Sequence, residues 1–444
     1  MVSATAARRG EAASGEHLLS LEEALERLLD RVDTLGAEMA QLPEAAGRVL
    51  AADVYGDVSL PPWDNSAMDG FAVRAADVAA AGPDRPVELR VVGEVAAGRA
   101  PRKTLRRGEA LRILTGAPVP PGADAVVPIE DTSAWHGPRQ AAGAPLPATV
   151  AIHRAVTPGA HVRRQGEDVV AGDRLLRAGQ RVGGGAVALA AAVGRDRCSV
   201  VRRPHLALLA TGDEIVAPGR KPGPGQIHDA NSAALTVLGQ RAGALVRSFG
   251  IAPDELAAVT ARLSELLAWA DVVVVTGGVS VGARDVVKDA FEALGSVEFW
   301  RVAVQPGKPL AFGRAARGRG APPGGPVLLF GLPGNPVSSY VTFELFVRPA
   351  LRRLAGLPPL DRVTERAVLG ETVSTSRERR AFLRVRLEPS ADPAGLPIAR
   401  LSGGQGSHVL SALAAADGLA VVPEGVGEAA AGTEVDVWPI EEWP

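Results

Sequence analysis

Between residues 205 and 355, runs of aliphatic and β-branched residues alternate with segments of helical period. LALLA (206–210), ALVRSFG (244–250), VVVV (272–275), FWRVAV (299–304) and VLLF (327–330) read as strands, and the stretches near 231–242, 253–269, 284–294 and 336–355 as helices. Such alternation predicts a mostly parallel sheet wrapped by helices, with ligands held at the carboxyl ends of the strands. An unusual turn follows four of the strands: TGDE (211–214), TGGVSVGARD (276–285), QPGKP (305–309) and GLPGNPVSS (331–339). Any one alone is an ordinary turn. Four of them after strands of one sheet predict a single pocket.

The glycine turn is the most informative of the four. Gly277, Gly278 and Gly282 allow positive φ and close approach of backbone to a ligand. Strand, glycine loop and helix start together expose N–H groups to a phosphate or oxyanion. The pattern is neither GxxxxGK[ST] nor GxGxxG, which disfavours both a P-loop and a dinucleotide fingerprint. Asp285, near the helix start, has two readings: a helix cap, or a metal ligand beside a bound phosphate. Pro333 and Pro336 bracket Gly334 and Asn335, and pre-set the backbone so that Ser338 falls at a helix start facing an anion. Asp229 and Asn231 read as the N-cap of the helix near 231, and His161 and His228 as structural hydrogen-bonders.

The chain has 444 residues, 48 basic and 50 acidic, for a net charge of −2. The length calls for several domains. The balanced charge suggests neither a nucleic-acid groove nor an anionic-membrane surface. No apolar run approaches the roughly 20 residues of a membrane span. A lone Cys198 and seven histidines without HxxxH spacing disfavour a disulfide framework and a Cys/His zinc site, so a metal should be a hard one held by oxygens. These features predict a soluble cytoplasmic protein.

Residues 1–17 read as a disordered tail, 20–33 as an amphipathic helix with a Ser20/Glu23 capping box, and 43–51 as a second helix. Short apolar runs between Pro/Gly turns make 58–154 a small β domain, and 359–444 reads as a second β domain with a short helix near 410–416.

DNSAMDGFAV (64–73), RILTGAPVPPGADAVVPIED (112–131), RRQGEDV (163–169), LATGDEI (209–215), GQIHDANS (225–232) and the glycine, QPGKP and GLPGNPVS turns occur in order. Together they resemble the MoeA family of molybdopterin molybdenumtransferases, which includes the gephyrin E domain. The resemblance covers about residues 18–440. It implies a multidomain α/β plus β architecture: a split hinge-like domain (18–57 and 155–200), an inserted β domain (58–154), a MogA-like α/β molybdopterin-binding domain (201–358) and a C-terminal β barrel (359–444).

The implied reaction inserts molybdate into adenylylated molybdopterin with pyrophosphate cleavage and release of AMP, assisted by Mg²⁺. The implied assembly is a homodimer whose cleft draws on both subunits, supplied by a molybdopterin adenylyltransferase. By motif, Asp69, Thr115, Asp168, Glu214, Asp254 and Asp285 match functional positions, with Glu214, Asp254 and Asp285 as metal ligands. Lys308 and Ser338 match anion contacts, and Arg380 and Ser407 align with further ones. Gly277, Gly278, Ser280, Gly282, Pro333, Asn335 and Pro336 complete the expected substrate contacts, with Arg301 and Gln305 where many relatives carry Lys. Arg301 keeps the charge and changes its geometry. Gln305 loses the charge, which shifts the burden of anion binding to Lys308. A CinA-like enzyme shares the α/β unit but lacks the upstream DNSAMDG and LTGAPVP motifs.

Overall fold

The computed structural model describes residues 18–135, 145–278, 286–358 and 362–440. Residues 1–17 and the glycine-turn positions Ser280, Gly282 and Asp285 lie outside the described residues. The chain divides into two compact units. One comprises Ala40–Ala46 and Ala52–Cys198, and the other Met1–Met39, Gly47–Ala51 and Ser199–Pro444.

In the smaller unit, β1 (Gly70–Val73), β2 (Val87–Val95), β3 (Glu109–Ile113), β4 (Ala125–Pro128) and β5 (Thr149–Ile152) form one sheet in the order β4-β1-β3-β2-β5. Only β2 and β3 run parallel. Alternate residues of β1 enter opposite cores, Phe71 and Val73 on one face and Ala72 on the other, as the two-residue period requires. Gly70 has no room for a side chain, because a Cβ there would lie 2.0 Å from the Val127 carbonyl oxygen. That close crossing fixes the backbone immediately after Asp69.

In the larger unit, β6 (His205–Thr211), β7 (Leu245–Ala252), β8 (Val272–Thr276), β9 (Gly295–Arg301), β10 (Pro309–Ala315) and β11 (Val327–Leu332) are ordered β7-β6-β8-β11-β10-β9. The first four in that order are parallel, β10 runs antiparallel to β11, and β9 pairs antiparallel with β10 and so runs with the first four. All five residues of β8 are buried, because helices cover both faces. Val273 and Val275 meet α3 (Leu256–Leu267) and α4 (Val286–Leu294) through Leu263 and Phe291. Val272 and Val274 share a core with Leu235 of α2 (Ala230–Arg241) and with Val337 and Phe346.

Four expectations are corrected. FWRVAV is not one strand: β9 ends at Arg301, and Val304–Gln305 pairs with Arg380–Ala381 of the C-terminal domain. The turn occurs because Ala303 N–H donates to the Leu19 carbonyl and its carbonyl accepts from Arg380 N–H. Strand β10 was not anticipated, its pattern being broken by Gly313 and Arg314. The helix expected at 43–51 is only Leu42–Ala45, since Ala46 is extended and Gly47 has φ +79°. The single helix expected over 336–355 contains a π turn at Phe343–Val347, where buried Glu344 pairs with Arg362 and Arg348. The Ser20/Glu23 capping box is present, on a helix of Leu21–Leu29.

The C-terminal region is a closed five-strand barrel. Strands Glu365–Leu369, Arg380–Glu388, Ile398–Leu401, Gly418–Val422 and Glu434–Pro439 close through pairing of Arg380–Glu388 with Gly418–Val422. Closure leaves no free edge among these strands.

Candidate active site

A cavity of about 840 Å³ opens at the carboxyl edge of β6, β8 and β11. Thr211 and Glu214 line it from the turn after β6, Gly277 and Gly278 from the turn after β8, and Pro333, Gly334, Asn335, Pro336 and Ser338 from the turn after β11. Lys308 enters just before β10. Because β10 is antiparallel to β11, its start lies at the edge where the parallel strands end. The four turns therefore share one pocket, of a volume ordinary for a ligand site.

The turns touch one another through glycine. At Gly277 φ is +91°, and a Cβ would lie 2.4 Å from the Thr211 carbonyl oxygen. A Cβ on Gly278, at φ +62°, would lie 2.7 Å from a Val287 methyl. A Cβ on Gly334 would come 3.7 Å from Gly277 Cα. On the other wall, Gly307 (φ +115°) brings the QPGKP turn against the helix that begins at Pro336, with Thr342 Oγ1 2.5 Å from where a Cβ would be. Gln305 Oε1 and Thr342 Oγ1 are buried and have no partner among the described residues.

Negative charge gathers beside this edge. Asp254 N–H donates to Asp213 Oδ1 at 3.3 Å. Burial, then the charges of Glu214 and Asp213, push the Asp254 carboxyl above its ordinary value, against a hydrogen bond from Thr211. Gly212 lets Glu214 fold back, since a Cβ at 212 would lie 2.7 Å from Glu214 Oε2. Among the described residues no three acidic, His or Cys side chains converge as a metal site. The third expected ligand, Asp285, lies outside them.

Asp229 caps α2, accepting from Ser232 N–H at 2.9 Å. Asn231 does more than the capping reading assigned to it. Its Nδ2 donates to the Gly334 carbonyl at 2.9 Å, and the residue lines the cavity. His228 also lines the cavity and holds the Arg220 carbonyl through Nε2 at 2.8 Å. His408, from the barrel, completes the wall. Nothing in the residue order marks His408 beyond its place in GGQGSH.

Arg301, Gln305, Arg380 and Ser407 are not among the lining residues. Arg380 is held by Glu22 (2.7 Å) and Glu424 (3.0 Å). Although burial works against it, those two carboxylates raise its pKa. Ser407 accepts from Val337 N–H at 3.0 Å through its carbonyl.

The remaining expected residues belong to the smaller unit. Asp69 Oδ1 accepts from Thr115 N–H (2.6 Å) and Thr115 Oγ1 (2.7 Å), so these two form one exposed group. Asp64 accepts from Gln165 N–H (2.8 Å) and Arg164 (2.6 Å). The amide first, and then Arg164, hold its carboxyl below its ordinary value. Asp168 is exposed, with its N–H on the Leu60 carbonyl.

Residues 19–194 match the MoeA N-terminal region (domain I and II), 207–353 a probable molybdopterin binding domain, and 366–440 the MoeA C-terminal region (domain IV). A Mycobacterium tuberculosis protein named molybdopterin molybdenumtransferase 2 is 43% identical over 403 residues, spanning 89% of this chain and 93% of that protein. The chain belongs to the MoeA family. A Synechococcus elongatus molybdopterin molybdenumtransferase is 37% identical, across 95% of this MoeA chain and 99% of its own. The crystal structure of a Pyrococcus molybdopterin biosynthesis MoeA protein superposes with a TM-score of 0.77 at 34% identity, covering 96% of this chain and all of the other. Among the described residues no helix is long and apolar enough to cross a membrane.

Proposed function

We propose that this chain is a molybdopterin molybdenumtransferase that inserts molybdate into adenylylated molybdopterin, releasing AMP and yielding molybdenum cofactor in the cytoplasm. The observation that carries this reading is the single cavity shared by the turns after β6, β8 and β11 and by Lys308. The substrate is a polyanion with a pyrophosphate. Gly278 of the glycine turn, the Lys308 ammonium and Ser338 line the cavity that would receive that charge, and Ser280 and Gly282 continue the same turn in sequence. Pro333, Asn335 and Pro336 shape the facing wall.

Chemically, water adds to one phosphorus of the pyrophosphate and the bridging P–O bond breaks. AMP departs, and the pterin keeps a phosphate monoester. Molybdate gives up one oxygen as water, which takes both thiol protons, as the two dithiolene sulfurs bind molybdenum. Glu214 orients the attacking water or takes its proton. Crowding of Asp254 by Glu214 and Asp213 suits a hard divalent cation, which would relieve their repulsion. Glu214, Asp254 and Asp285 would hold Mg²⁺, whose contribution when bound is to neutralise phosphate charge.

The assembly in this reading is a homodimer in which Asp69, Thr115 and Asp168 of one subunit face the α/β domain of its partner. Arg301, Gln305, Arg380 and Ser407 flank the molybdate side. An upstream adenylyltransferase supplies the substrate. No nucleic acid or membrane takes part.

The test is an assay of AMP and cofactor formation from adenylylated molybdopterin, molybdate and Mg²⁺. Turnover dependent on all three supports the reading, and no AMP release would remove it.

A pH prediction follows from Asp254. Its folded-state pKa lies above its unfolded value of about 3.9, so its contribution to stability is present below that value and is lost as pH rises through the folded pKa. Without metal, Asp254→Asn should raise the thermal midpoint at pH 7, with the gain shrinking towards pH 4. It should also weaken the stabilisation that Mg²⁺ gives the wild type. Thermal denaturation across pH, with and without Mg²⁺, checks both. A midpoint unchanged at pH 7 would remove the repulsion.

A further inference from the structure

Arg384 is the largest fully buried side chain of the described residues, at 1% exposure. It makes no ion pair among them. Burial pushes its pKa down, and Nε has no partner. A buried guanidinium without a carboxylate is costly, and a barrel that needed only volume there would do as well with an apolar side chain. The donors show where the charge is spent. Nη2 donates to the Gly404 carbonyl at 2.9 Å and the Gly406 carbonyl at 3.1 Å. Gln405 adds a clamp, accepting from Arg384 N–H at 2.9 Å and donating to its carbonyl at 3.1 Å.

The segment so held leads to the cavity. Ser407 docks its carbonyl on Val337 N–H, in the first turn of the helix that begins at Pro336. The His408 imidazole lies over Gly406, where a Cβ would come 2.9 Å from Cε1 and 3.2 Å from Nδ1. His408 lines the cavity. The carbonyl gripped by Arg384 and the backbone under the ring thus belong to the same residue.

We infer that Arg384 is a positioning residue that fixes, through Gly406, the place of the His408 imidazole on the cavity wall, where a ring N–H helps hold the anionic substrate. This rests on the molybdenumtransferase reading and adds a role for two residues which that reading leaves unused.

The test is a double-mutant cycle on the full-length enzyme, read as KM for adenylylated molybdopterin in the AMP-release assay. His408→Ala and Arg384→Met should each raise KM roughly ten-fold, the loss of one hydrogen bond to a charged group, with kcat within about two-fold. The double variant should be no worse than either single, because both remove one interaction. Arg384→Lys should recover part of the loss. Gly406→Ala, which keeps Arg384 but displaces the ring, should raise KM similarly and covers the case in which Arg384→Met does not fold. Thermal denaturation confirms folding.

Histidine-selective NMR gives a readout independent of turnover. The His408 signal, identified by its loss in His408→Ala, should shift in Arg384→Met. Unchanged KM in a folded Arg384→Met, effects that multiply in the double variant, or an unmoved His408 signal would each overturn the inference. A wild type that releases no AMP would instead overturn the functional reading, while the NMR arm still decides whether Arg384 positions the ring.

Discussion

Subunits carrying Asp69→Ala and subunits carrying Asp285→Ala, each inactive as homodimers, should regain activity when unfolded together and refolded as a mixture. If a site takes Asp69 from one subunit and Asp285 from its partner, a heterodimer contains one site with both carboxylates intact and one with neither. In a random mixture half the dimers are mixed, and half of their sites are whole, so roughly a quarter of wild-type AMP release should return. If each site lay within one subunit, every site in the mixture would carry a lesion and nothing would return. Asp69 belongs to the smaller compact unit, and Asp285 falls in sequence within the matched molybdopterin binding domain, which makes the experiment informative. Asp69 is exposed and spends Oδ1 on Thr115, so its loss should leave the surrounding core intact. Lack of rescue would also withdraw Thr115, which shares its hydrogen bonds.

Gly277→Ala should have the other large effect. At φ +91° a side chain is strained, and this one would also sit 2.4 Å from a backbone carbonyl oxygen that cannot step aside. Strain and overpacking together should cost about 2–4 kcal/mol in urea unfolding. AMP release should fall below one hundredth of wild type, because the turn that lines the cavity at Gly277 and Gly278 must move. Gly250→Ala separates the two causes. Its φ is +86°, but nothing lies within 4 Å of the added Cβ. It should lose only about 1 kcal/mol, with activity retained. Equal losses at the two positions would mean that contact with Thr211 is not what places the glycine turn.

The Arg384 and Asp254 experiments probe weaker couplings at the same pocket. Residue pattern alone announces neither side chain, and Asp254 stands out only through the MoeA resemblance. Asp254 follows an ordinary-looking GIAP, and its raised pKa comes first from burial and then from the charges of Glu214 and Asp213, about forty residues earlier in the chain. Arg384 sits within a continuous run of buried strand residues, Ala381 to Val385, and is the one charged member of it.

The parallel core of the α/β sheet was legible because its central strands β6, β8 and β11 are buried on both faces and so are written as near-continuous aliphatic runs. Where a strand lacked such a run, as at Pro309–Ala315, it was missed. FWRVAV misled for a related reason. Apolar content shows that a segment is buried but not which sheet receives its hydrogen bonds, and here Leu19 and Arg380 divert the backbone after Arg301.

Taken alone, the sequence determined the alternating architecture, the turns that line the cavity and the family, because burial period and glycine positions are local properties of the chain. Only the tertiary structure decided that Asn231 ties down the PGNP turn, that Lys308 enters through an antiparallel strand, and that the barrel supplies His408. Each of these depends on contacts between segments far apart in the chain, and hydrogen-bond geometry across such distances leaves no periodic trace in the order of residues.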